Sequence, residues 1–173
     1  MLTPVINRPG QAKRSQTKLP LLPITRASAD DMSLRYHVSL EALRVGHGYV
    51  GAAQALATAM VVAFFLADAG YGTMSREAFS ISEDILARCI KTGRSTDEWY
   101  FDDRGYQIFS ALLKLHDRQL RKAPFSALLR ANDRLKSFVK SKARRNNACL
   151  QAMSAGARKG GNALRSPQTH PEA

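Results

Sequence analysis

Apolar positions along this chain recur at spacings of three and four, and nowhere alternate over any length. That spacing marks helices that bury one face, and the missing alternation argues against half-buried strands. The first periodic stretch, about residues 30–45, puts Leu34, Val38, Leu40 and Leu43 on its apolar face. Asp30 and Asp31 stand where carboxylates favour the positive end of the helix dipole. Gly46 and Gly48 are predicted to end it, because glycine takes the left-handed cap conformation at no steric cost. A second helix is predicted over about residues 49–69, ended by "AGYG". A third, over about residues 75–91, turns Phe79, Ser82, Ile85, Leu86, Cys89 and Ile90 inward and ends at Gly93. Asp102 or Asp103 can cap a fourth, whose stripe is Phe109, Leu112, Leu113, His116 and Leu120. Pro124 suits the first turn of a fifth. That helix carries Phe125, Leu128, Leu129, Leu135, Phe138 and Val139, and frays through "KSKARRNNA".

Short loops between such segments favour an all-α fold, a compact antiparallel bundle of about five helices. The expected domain spans residues 28–145, between disordered basic tails at 1–27 and 146–173. In the first tail Pro20 and Pro23 of "LPLLPI" exclude a regular helix, while Leu19, Leu21, Leu22 and Ile24 can pin that end to the core. The second, glycine-rich tail is low in apolar content.

The stretch "VGAAQALATAMVVAFFLA", residues 50–67, carries no charge. Its length allows a membrane span. Only its second half is strongly apolar, however, and Gln54 and Thr58 lie inside it. A helix apolar on all sides is either a span or the centre of a bundle. Its amphipathic neighbours need a partner that accepts contacts from several sides, so the reading favours the buried central helix over the membrane. Gly51, Ala55, Ala59, Ala63 and Ala67 recur every four residues as a ridge of small side chains, beside a bulky ridge of Leu56, Met60 and Phe64. The small ridge suits close helix packing or a symmetric helix pair in a homodimer.

The net charge of +12 sits in the tails. Residues 1–27 hold five bases and no acid, residues 28–139 fourteen bases and thirteen acids, and residues 140–173 seven bases and one acid. Basic ends point to polyanions. In "KSFVKSKARRNN", Lys136, Lys140 and Arg144 fall at four-residue steps on one helix face, with Lys142 and Arg145 nearby. Such a face can track phosphates without reading sequence. The glycine-separated helices around "VGHGYVG" do not read as a helix-turn-helix, since the second lacks the polar and basic residues that contact bases.

Candidate chemistry is sparse. No two of His37, His47, His116 and His170 stand four apart, and none joins a cysteine at zinc-ligand spacing. His37 and His116 read as core-edge histidines. "DEWYFDDR" reads as a helix cap and aromatic plug rather than an acid–base pair. "GARKGG" is not a phosphate loop, since no strand precedes it. Two cysteines, Cys89 and Cys149, make no disulfide framework, which suits a reducing cytoplasm. No cofactor and no enzymatic activity are expected.

Three stretches, "LRYHVSLEALRVGHG", "WYFDDRGYQIF" and "LLKLHDRQLRKAP", resemble small helical proteins of proteobacteria that are labelled as Fis-like transcriptional regulators. The resemblance covers about residues 33–124, implies a bacterial cytoplasmic regulator, and assigns no site residue. The sequence therefore favours a non-enzymatic, nucleic-acid-associated regulatory or accessory protein that grips phosphates through its basic C-terminal helix and tails. The alternatives are a protein-interaction bundle with inert tails, homodimeric or bound to a partner, and a membrane-associated protein using residues 50–67.

Overall fold

Five helices account for most of the chain that the computed structural model describes, residues 21–160, with side chains described through Arg144. They are α1 (Arg26–Arg44), α2 (Val50–Asp68), α3 (Arg76–Thr96), α4 (Asp103–Lys122) and α5 (Phe125–Gly160). Among the described residues there is no strand, only an isolated antiparallel bridge between Pro23 and Pro124. The fold is an all-α bundle. It divides into a first compact unit ending at Leu135 and a second beginning at Lys136.

Helix α2 is the centre of the first unit and packs against α1, α3 and α4. It is long and apolar enough to cross a membrane by length and composition. Its Ala52, Ala53, Leu56, Ala59, Met60, Val61, Val62, Ala63 and Leu66 are all buried. Neighbours cover much of it because little of its surface is polar enough to prefer water, while Gln54 stays exposed.

Helix α1 starts earlier than the sequence suggests. Thr25 caps it, its Oγ1 accepting from the Ser28 N–H at 3.2 Å, so Asp30 and Asp31 lie inside the helix. Its inner face is also different. Ala29, Leu40 and Leu43 are buried, whereas Leu34 and Val38 are 63% and 59% exposed. The buried row steps through Met32 and Tyr36, half-buried. Leu34 and Val38 each lie two residues from that row, and two residues turn a helix by about 200°.

Helix α3 runs past Gly93 to Thr96 and ends on Asp97 in the left-handed region at φ 61°. Gly93 is a packing glycine: the Trp99 indole lies where its Cβ would stand. Helix α4 is capped by Asp102, whose Oδ1 accepts from Gly105 N–H at 2.7 Å. Trp99 and Phe101 are buried beside that cap, and Phe101 stacks on Phe109 with centroids 4.9 Å apart. The "DEWYFDDR" segment is thus a cap and an aromatic plug.

At the start of α5 the inward residues are small. Ala127 and Ala131, with half-buried Leu128 and Leu135, pack on Val62, Leu66 and Ala123, while Phe125 and Leu129 face out. Of the apolar residues before α1, Ile24 is half-buried, and the segment is also tied down through its backbone. Phe125 N–H donates to the Leu22 carbonyl at 2.7 Å, and Leu21 and Leu22 are exposed. Leu19 lies outside the described residues. Helix α5 runs on to Gly160, past residue 146 where the sequence pattern gives way to a tail.

Candidate functional site

The second unit holds the basic residues singled out by the sequence. Lys136, Lys140, Lys142 and Arg144 lie on α5 and are exposed, with Lys142 Nζ 5.9 Å from the Phe138 ring centroid. The side chain of Arg145 lies outside the described residues. From residue 136 to residue 160 the sequence has seven bases and no acid.

The small-residue ridge of α2 enters the interior of the first unit. Ala59 and Ala63 are fully buried, and Gly51, Ala55 and Ala67 half-buried. At its middle the ridge therefore serves helix packing within the chain.

The two helix-borne histidines have separate partners. His37 Nε2 meets Asp117 Oδ2 at 2.9 Å, and Ser33 Oγ donates to Asp117 Oδ1 at 2.7 Å. Serine and imidazole both lean on the carboxylate, so this is not the chain in which an imidazole takes a serine's proton. His116 is fully buried and sits on the Tyr36 ring at 5.5 Å. Burial holds its pKa below the usual histidine value, against smaller opposing effects of the Gln119 hydrogen bond and the Asp117 charge. A neighbouring cluster ties α1 to α4. Glu41 accepts from Arg44 Nε at 2.6 Å and from the Tyr106 hydroxyl at 2.8 Å. These bonds, that of Arg44 first, hold its carboxyl below the ordinary range. Cys89 is buried, and burial pushes its thiol up, away from a reactive thiolate. Among the described residues no group of three or more His, Cys, Asp or Glu is placed to hold a metal ion.

The sequence reading missed a cleft of about 730 Å³ in the first unit. The α2–α3 loop (residues 70–74), the first turns of α3 and one side of α4 line it. Ile85 lies against Gly105 where α3 and α4 close on each other, and the cleft opens further along the pair. Its floor is tied to the core through Gln119. Both Gln119 Nε2 hydrogens are used, on the Ala63 carbonyl at 2.9 Å and the Tyr71 carbonyl at 2.8 Å. Its Oε1 then faces His116 Nδ1 at 3.3 Å. A signal for the cleft was present: Ile108, Ala111, Leu115, Arg118 and Lys122 form a second row on α4, beside the core stripe, at steps of three and four. That row alone does not specify a cleft, because the opposite wall comes from α3 and the α2–α3 loop.

No family model, no curated protein and no solved structure matches the chain.

Proposed function

We propose that this chain is a non-enzymatic, nucleic-acid-associated regulatory or accessory protein that grips phosphates through the part of α5 beyond Leu135. The observation that carries the reading is the one-signed charge of that segment, seven bases and no acid over residues 136–160. Lys136, Lys140 and Arg144 repeat every fourth residue there, and these three and Lys142 are exposed. Each lysine or arginine that neutralises a phosphate releases a condensed counterion, which drives binding at low salt. Contacts of this kind set position and orientation and carry no base information, so the expected binding is tolerant of sequence.

The test is affinity of the full chain for duplex DNA of unrelated sequences across a salt series. The wild-type chain should bind with a steep loss of affinity as salt rises. Replacing Lys136, Lys140, Lys142, Arg144 and Arg145 by alanine should weaken binding and flatten the logarithmic salt slope by about 0.9 for each phosphate that is no longer neutralised. A variant that keeps the wild-type affinity and slope would sink the reading.

A further inference from the structure

The cleft between α3 and α4 is two-faced. Met74, Ala78, Ile81, Ile108, Ala111 and Leu115 give it apolar walls. Its volume of about 730 Å³ falls within the range of small-molecule sites. The polar groups along the floor are satisfied internally. Ser82 Oγ donates to the Ala78 carbonyl, Ser75 Oγ accepts from Ala78 N–H, and Gln119 is occupied at both ends of its carboxamide.

Charge at the cleft has one sign. Arg118 and Lys122 line it one helical turn apart, and no carboxylate does. Elsewhere in the first unit Arg26, Arg35, Arg44, Arg121 and Arg134 each pair with a carboxylate, while other surface bases such as Arg88 and Lys114 are unpaired among the described residues but line no cleft of this size. Among the described residues Arg118 and Lys122 form no ion pair. The nearest carboxylate in sequence, Asp117, is engaged by Ser33 and His37 of α1. An apolar wall beside two uncompensated cations is complementary to a molecule with an apolar body and one negative end. Arginine suits the head group in particular, because its planar fork can donate two parallel hydrogen bonds to a carboxylate or phosphate.

We propose that this cleft is a binding site for an amphiphilic anion. The body would be the size of a medium-length acyl chain, lying along Ile81, Ala111 and Leu115, and the head group would be held by Arg118 and Lys122. The proposal does not depend on the nucleic-acid reading, since it uses none of the residues beyond Leu135.

Calorimetric titration of the full chain tests it, with decanoate and decyl phosphate as two forms of the anion and decyltrimethylammonium as the cation of matched chain. At least one anion should bind at a single site, and the cation should bind about tenfold more weakly or worse. The two anions together identify which head group is preferred. Arg118→Ala with Lys122→Ala should remove the preference for the anion. Ala111→Phe, at an exposed helical position, should fill the cleft and abolish binding, with helical content checked by circular dichroism. Ala78→Phe fills it from the opposite wall if the first variant does not fold. The five-alanine variant of α5 should bind the anion as the wild type does. Absence of binding by both anions, equal affinity for the cation, binding that survives a folded cleft-filling variant, or loss of binding in the α5 variant alone would each overturn the proposal.

Discussion

His116 donates its Nδ1 proton to the carboxamide oxygen of Gln119 at 3.3 Å, with both side chains out of solvent. The tautomer follows from the amide. Gln119 commits its nitrogen to two backbone carbonyls, so its oxygen must accept and the ring must donate. The second ring nitrogen, Nε2, is buried with no hydrogen-bond partner among the described residues. Only a neutral imidazole fits such a place.

A definite pH dependence of stability follows. The unfolded chain titrates this histidine near its ordinary value of 6.5, and the folded chain below that. Between the two values the unfolded chain holds the additional proton, so stability rises with pH across that window. The contribution is complete above about 6.5 and is lost progressively as pH falls toward the folded value. Urea midpoints measured downward from neutral pH should decline in this range. His116→Leu should flatten that part of the profile. At neutral pH it should also cost about 1–3 kcal/mol, because the Gln119 oxygen is left buried without a donor. An unchanged profile in the leucine variant would assign the pH dependence to other groups.

Gly93→Ala should destabilise the chain although alanine is the better helix former. The added methyl overlaps the Trp99 indole, and overpacking of this kind costs about 1–3 kcal/mol. Thermal melts give the size of the effect. A shift in the emission of Trp99, the single tryptophan, reports whether the indole is displaced. A stabilised variant with unmoved emission would contradict the packing role.

Asp102 separates capping from chemistry. Its Oδ1 accepts from Gly105 N–H, and asparagine caps about as well as aspartate. Asp102→Asn should leave the melting temperature close to wild type, while Asp102→Ala should lose about 1 kcal/mol. Equal losses in both variants would mean that the charge, not the cap, matters there.

Much of the bundle was legible in the sequence. The uncharged run of α2 stood out because a helix that several others pack against must be apolar all round. The aspartate before α4 announced its own cap. Three features depart from what the local pattern suggests. Leu40 and Leu43 were placed correctly on the inner face of α1, but its N-terminal half buries Ala29 and half-buries Met32 and Tyr36 in place of Leu34 and Val38, and a small and an amphipathic residue weigh little in a hydrophobic pattern. Gly93 has the spacing of a helix end, and only the indole of Trp99, six residues on, explains why it lies inside a helix. Ala127 and Ala131 form the inward face of early α5, while the larger Phe125 and Leu129 beside them point out. At Gly93 and in early α5, fit to a segment distant in sequence overrode residue type. The basic face of α5 was readable because charge leaves its record in composition. The cleft was not, because a concavity belongs to two helices at once.

The two carbonyls held by Gln119 belong to different elements, Ala63 to α2 and Tyr71 to the loop that follows it. One amide therefore fastens that loop to the middle of the bundle. A molecule entering beside α4 would meet a wall already set in place, and little ordering entropy would oppose its binding. The Tyr71 amide, whose N–H donates to the Leu66 carbonyl at 2.9 Å, should accordingly exchange slowly with solvent before anything is bound.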